Sequence, residues 1–179
     1  MSASLTTPRL ELTRWTGDDL RLLTTLVSDP LVVRHIRDQE PWSAEFTRER
    51  HDAALEHWSA HGFGWRAIRW RHDGTAVGMV SVSHRPVGES VLGRPAVELG
   101  WLLAPPAWGK GVATEAVRAA RDHAFGHTDV VYAQYQTGND VSGRIMTKLG
   151  MTHHADRTDS DGVHTHLHVL TRTDWAALR

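Results

Sequence analysis

One run constrains this chain more than any other: Trp101-Leu102-Leu103-Ala104-Pro105-Pro106-Ala107-Trp108-Gly109-Lys110-Gly111-Val112-Ala113-Thr114-Glu115. An apolar stretch suited to a strand stops at two prolines, which stiffen the turn, and a Gly-x-Gly step then leads into residues of helical period. The first amides of a helix have no partner inside it, and the helix dipole adds positive potential at that end. Glycine lets an anion approach such a backbone and Lys110 adds a mobile cation, so the segment is suited to cradle a diphosphate. Two familiar phosphate patterns do not fit. A P-loop needs G-x-x-x-x-G-K-[ST], but Lys110 is followed by Gly111, and Ala104 stands where the first glycine belongs. A dinucleotide fingerprint G-x-G-x-x-G would put its third glycine at Thr114, and the run lies past mid-chain, behind antiparallel signals. A tight strand-to-helix turn that binds nothing is the bland alternative.

Around this run the chain reads as alternating strands and helices. Leu10, Leu12 and Arg14 alternate with polar residues in a short strand, and Thr16 precedes a helix through Leu20, Leu23 and Val27 that Asp29-Pro30 closes. Ser43 is placed to cap a helix over Ala44 to His61. The β-rich runs Gly64 to Arg71 and Ala76 to His84 flank Asp73-Gly74, a hairpin signal. A polar loop from Arg85 to Arg94 leads to the central strand Ala96 to Leu103, whose Gly100 marks a bulge or a splay. Gly111 to Phe125 carries Ala113, Ala116, Val117, Ala120 and Ala124 on one stripe, with Glu115, Arg118, Arg121 and Asp122 opposite. Val130 to Gln136 is a strand, Asp140 to Leu149 a helix stopped by Gly150, and the runs Thr152 to Arg157 and Val163 to Thr171 close the chain as a hairpin. No repeat or linker divides residues 1–179, so the expectation is one α+β domain.

The sequence resembles the GCN5-related N-acetyltransferase (GNAT) family, and in particular its ribosomal-protein N-terminal acetyltransferase subgroup. Three ordered blocks carry the likeness: Glu98-Leu99-Gly100-Trp101-Leu102-Leu103, then Trp108 to Ala116, then Asn139-Asp140-Val141-Ser142 with Lys148-Leu149-Gly150-Met151. The resemblance implies a central, mostly antiparallel sheet of six or seven strands with helices on both faces and a splayed strand pair forming an acyl-CoA cleft. It implies that Trp101, Leu102 and Leu103 line the pantetheine arm of coenzyme A. Gly109, Lys110, Gly111, Val112, Ala113 and Thr114 would hold its diphosphate, with Asn139 and Ser142 also at the cofactor. Two positions depart from the family's pattern. Trp108 replaces a usual Gln or Arg, and Met146 stands where a tyrosine often supplies the proton for the departing thiolate.

Acyl transfer from a thioester to an amine needs a neutral amine, a stabilised oxyanion and a proton for the thiolate. Asn139 and Ser142 are one turn apart and can share a helix face, so Ser142 is the candidate proton donor, against the plainer role of helix capping for both. Glu98 is the candidate base, against a solvated or ion-paired strand glutamate; His84 is a second choice. Trp42, Trp58 and Trp65 divide between acceptor pocket and core. The mixed charges from Arg34 to Arg50 read as a solvated face. His164, His166 and His168 share a strand face at a spacing able to ligate zinc, but Val163, Leu167 and Val169 account for that strand, so no metal is expected.

Composition removes other classes. A formal charge of −1 offers no general pull on nucleic acid or anionic lipid. Zero cysteines exclude disulfides and thiolate chemistry and suit a reducing compartment. No apolar run approaches the ~20 residues of a membrane span, so a cytoplasmic protein is expected. With those classes removed, the resemblance implies an acetyl-CoA-dependent N-acetyltransferase acting on a primary amine, by family likeness the N-terminal amine of a protein or peptide. A small-molecule amine acetyltransferase (amino acid, polyamine or antibiotic) and a non-catalytic acyl-CoA-binding module are the alternatives. The resemblance allows a homodimer, which no heptad or apolar patch in the sequence requires.

Overall fold

The computed structural model describes residues 4–85, 90–159 and 161–178. Its eight strands are β1 (Leu5–Thr6), β2 (Leu10–Arg14), β3 (Arg66–Trp70), β4 (Ala76–His84), β5 (Val97–Leu103), β6 (Val130–Gln136), β7 (Thr152–Thr158) and β8 (His164–Thr171). They form one sheet in the order β1-β2-β3-β4-β5-β6-β8-β7. Every neighbouring pair is antiparallel except β5 and β6. The count exceeds the expected six or seven because the two-residue β1 pairs with the start of the chain's first long strand.

Alternation along the strands builds two cores, one on each face. Leu12, Ile68, Val80 and Leu99 are buried against Ala116, Val117 and Ala120 of helix α4 (Val112–Ala124). On the other face, Ala67 and Met79 pack with Leu23 and Leu26 of α1 (Leu20–Val27) and with Ala54 and Trp58 of α3 (Ala44–His61). Ser43 caps α3 as its sequence predicts, its hydroxyl accepting from the Phe46 amide at 3.1 Å. Arg121, read as solvent-facing, is buried; it donates to the carbonyl of Leu149 at 2.6 Å and so ties α4 to the end of α5 (Asp140–Lys148).

Two added helices, absent from the sequence reading, have local causes. Asp29-Pro30 closes α1 but also opens a one-turn helix, α2 (Pro30–Val33), because the Asp29 carboxylate accepts from the Leu31 amide at 2.9 Å and Pro30 needs no donor there. The expected closing hairpin forms as β7 and β8, but a further helix follows it, α6 (Arg172–Ala177), capped when the Thr171 hydroxyl accepts from the Asp174 amide at 3.2 Å, with Trp175 stacked on Phe125. Of the bulge or splay read at Gly100 there is no bulge, since β4 and β5 stay in register from Gly78↔Leu103 to His84↔Val97, while β5 does part from β6 beyond Glu98. Of the polar connection read at Arg85 to Arg94, residues 86–89 lie outside the described set and 90–92 are helical. Among the described residues no helix is long and apolar enough to cross a membrane.

Candidate active site

The site begins where the sheet comes apart. β5 pairs with β6 only at Val97↔Val131 and Glu98↔Tyr132, while β4 follows β5 to Leu103. Beyond Glu98 the two parallel strands diverge. The Ala104 amide bonds the Val77 carbonyl at 2.9 Å, so in an alternating antiparallel ladder the even-numbered residues of β5 bond β4. The amide and carbonyl of Trp101 and the amide of Leu103 therefore point to the open side. Unpaired main-chain groups of this kind call for a partner, and an extended amide-bearing arm can supply one.

A cleft of about 420 Å³ fills that opening. Trp101, Leu102 and Leu103 form one wall, Ser142 and Ile145 of α5 with its cap Asn139 another, and Gly109 with Ala113 one end. These are expected site residues, brought together. The far wall is Leu31 and Val32 of α2 with Arg34 to Ile36, which sequence reasoning missed because a single turn of helix has no period to detect. Trp108 also lines the cleft; its indole N–H donates to the Leu103 carbonyl at 2.8 Å and Arg34 lies over its ring.

The segment that the sequence marks as a candidate anion cradle stands at the mouth. Gly109 and Gly111 have φ of +71° and +75°, the left-handed region where glycine carries no steric penalty. The first bond into α4 runs from the Glu115 amide to the Gly111 carbonyl at 3.0 Å, which leaves the amides of Val112 to Thr114 without helical partners. Lys110, Gly111, Val112 and Thr114 do not border the cleft, and the Val112 side chain is sealed in the core, so its amide alone is available. Arg9, unsuspected from sequence as a site residue, braces the loop. Its guanidinium donates to the Lys110 carbonyl at 2.9 Å and to Glu115 at 2.6 and 2.7 Å. Burial opposes the charge of Glu115, but hydrogen bonds from Thr7 and Arg9 outweigh it and hold the carboxyl below its usual range.

Asn139 takes the capping role, accepting from the Ser142 amide at 3.4 Å while still lining the cleft. The Ser142 hydroxyl is half-buried on the cleft and has no hydrogen-bond partner among the described residues. Met146 is only 1% exposed and packs in the core, so it offers nothing to the cleft.

A second cavity of about 730 Å³ adjoins the first at Ile36, which borders both. Glu98 lines it, together with Trp42, Trp65, Arg37, Arg50 and Arg85. Gln134 and Tyr132 donate to the Glu98 carboxylate at 3.3 and 3.4 Å, and the Arg85 guanidinium lies 3.7 Å away. Burial nevertheless dominates and raises the Glu98 pKa above its ordinary value, against the pull of Arg85, Gln134, Tyr132 and Arg50. A carboxyl so placed is suited to take up and release a proton nearer neutrality. The segment read as a solvated charged face thus contributes two arginines, Arg37 and Arg50, and Glu49 to this cavity.

Other candidates lie elsewhere. His84 pairs with Val97, so its side chain is on the sheet face opposite Glu98; it packs on His61 and Phe63. Trp58 is core, donating to the Trp65 carbonyl at 2.7 Å. His164 bonds the Thr158 hydroxyl at 2.8 Å on the far strands.

The model of the acetyltransferase (GNAT) domain matches residues 9–152. An acetyltransferase of the GNAT family from Bacillus anthracis superposes with a TM-score of 0.76 at 20% identity, covering 96% of this chain and 99% of that one. An acetyltransferase from Agrobacterium tumefaciens str. C58 gives 0.78 at 24% identity, with 95% of each chain covered. RimL, a ribosomal L7/L12 alpha-N-protein acetyltransferase solved in complex with coenzyme A, gives 0.77 at 14% identity, covering 94% and 98%.

Proposed function

The chain belongs to the GNAT acetyltransferase family and is an acetyl-CoA-dependent acetyltransferase, and on that premise we propose that residues 1–179 act as one transferase domain, moving the acetyl group directly to the N-terminal amine of a protein or peptide. The similarly folded RimL is named for an alpha-N-protein activity, and another such structure, from Salmonella typhimurium, for modifying the N-terminal serine of L7/L12. The observation that carries the reading is the junction at Ile36: Ser142 borders one cavity and Glu98 the other.

Acetyl-CoA supplies, when bound, an acyl carbon activated as a thioester. The protein's own groups fit it: free amides at the start of α4 for the diphosphate, the open edge of β5 for the amide-bearing arm, and an apolar cleft between them. Glu98, on the acceptor side, accepts the amine proton directly or through water. The unpaired amides of β5 are the donors available to the developing oxyanion. Ser142, on the cleft side, donates a hydrogen bond or a proton to the departing thiolate. Ser142→Ala is expected to lower kcat by about 10- to 100-fold while leaving the acetyl-CoA KM within about twofold. Normal turnover in that variant would remove the serine from the mechanism.

The acceptor cavity presents Arg37, Arg50 and Arg85 against Glu49 and Glu98. The pKa of Arg50 is lowered by burial first and then by the charges of Arg85 and Arg37, a sign that the three cations crowd one space. A peptide with an acidic residue next to its amino terminus relieves that crowding. Its kcat/KM is expected to exceed that of the lysine-bearing counterpart by about 10-fold, and Arg50→Gln to erase most of the difference. The deciding experiment is release of free thiol from acetyl-CoA in the presence of peptides, amino acids, polyamines or aminoglycosides in turn. Preference for a small amine would overturn the peptide reading, and binding of coenzyme A without turnover on any amine would leave an acyl-CoA-binding module.

A further inference from the structure

On β7 and β8, the two strands at one edge of the sheet, His153 and Asp156 of β7 meet His166 of β8. One carboxylate oxygen of Asp156 lies 2.7 Å from His153 Nε2 and 2.7 Å from His166 Nδ1. Residues three apart on a regular strand point to opposite faces. These two share a face because the β7–β8 register shifts between His153 and Ala155, pairing His153 with His168 and Asp156 with His166. Such irregularities re-aim side chains. Among the described residues this is the one group of three or more His, Asp or Glu whose ligand atoms all lie within 4.8 Å of one another. The other nitrogen of His166, Nε2, is 3.0 Å from the Thr137 hydroxyl, the outer contact that fixes the orientation of a ligating imidazole. Behind them His168, 8% exposed, has Nδ1 buried without a hydrogen-bond partner, its ring 5.5 Å from that of His153.

The geometry points to a divalent metal site at His153 Nε2, Asp156 and His166 Nδ1, suited by its two imidazoles and one carboxylate to zinc or a similar first-row transition ion. A fourth position stays open to water. Ligand atoms around tetrahedral zinc stand about 3.4 Å apart, so each nitrogen–oxygen pair must open by roughly 0.7 Å, a small motion when His153 and Asp156 are exposed and only His166 is half-buried. The ion would clip the edge strand β7 to β8, a structural role independent of acetyl transfer. Of the histidines singled out from sequence on β8, one alone belongs to the set; its partners are on β7.

The test is calorimetric titration of the untagged full chain with zinc chloride, together with thermal unfolding. One zinc per chain is expected, with the unfolding midpoint raised by about 5–10 °C at a hundredfold excess over Kd. The double variant His153→Ala/His166→Ala should lose the binding, and Thr137→Val should weaken it about 10-fold through the outer contact. His154→Ala, at the exposed residue between the two β7 ligands, should leave it unchanged, and zinc-free unfolding midpoints show that each variant folds. Zinc binding of equal strength in the double variant, equal loss in His154→Ala, or no binding by the native chain at micromolar zinc would overturn the site.

Discussion

Gly109→Asp is expected to raise the KM for acetyl-CoA by about 10²- to 10³-fold, a like-charge cost of several kcal/mol against the diphosphate. The residue has φ of +71°, and a Cβ built there meets nothing within 4 Å, so a side chain enters open space at the mouth of the cleft. Aspartate tolerates the left-handed region better than most residues, and a carboxylate near a helix start is favoured by the dipole. The fold should therefore survive, with an unfolding midpoint within a few degrees of the native one. What changes is the charge at the proposed diphosphate seat: the new carboxylate would take up the amides of α4 proposed to hold the ligand. Gly109→Asn separates charge from bulk, because it has the same shape and no charge; a KM increase of about 10-fold or less is expected there. Raising the salt concentration should narrow the gap between the two variants, as screening weakens the repulsion. If Asp and Asn behaved alike, the start of α4 would not be the anion site.

The geometry of that proposed site was legible in the sequence because it is local. Proline, glycine and helix start follow one another within a few residues, and the amides they expose belong to the same segment. The same holds for Trp101 to Leu103 and for the cap at Asn139, each set by its immediate neighbours. The rest depended on contacts that span the chain. Arg9 reaches Glu115 and Lys110 across more than a hundred positions, and nothing near Arg9 announces it. Arg37 and Arg50 sit in a segment of mixed charge whose local pattern is that of a solvated surface, and only the packing of α3 and of the turn before it against the sheet brings them to the cavity that Glu98 lines. The β7 irregularity that aligns His153 with Asp156 likewise has no local composition signal. Gly100 shows the converse: a glycine within a strand suggested a bulge or a splay, and the separation lies on the β6 side alone, since pairing with β4 is unbroken.

Replacing the half-buried carboxyl of Glu98 offers the sharpest separation of catalysis from folding. Glu98→Gln is expected to lower kcat by about 10²- to 10⁴-fold near neutral pH, with acetyl-CoA affinity unchanged because the residue borders the acceptor cavity and not the cleft. The pH dependence follows from the direction of its shift. Burial raises the pKa above the ordinary 4.5, so the ionised base forms only as pH climbs through that higher value, and the native rate has an acidic limb there. The variant lacks that limb and instead follows the free fraction of the acceptor amine, whose pKa is about 7.7–8.0 for a peptide N-terminus. Its deficit should accordingly shrink in alkali. Stability moves the opposite way. An acid whose folded pKa exceeds its unfolded one binds more protons when folded, so native stability falls as pH rises from the unfolded pKa of about 4.5 through the folded value, and stays lower above it. Glutamine carries no such loss, and the Gln134 and Tyr132 contacts can be kept to its side-chain oxygen. Glu98→Gln should thus be at least as stable as the native protein at neutral pH, with the advantage vanishing below about pH 4. A slow enzyme that is also a more stable one identifies a buried base held charged at a folding cost; a slow enzyme that melts early would mean that Glu98 merely supports the sheet where β5 and β6 part.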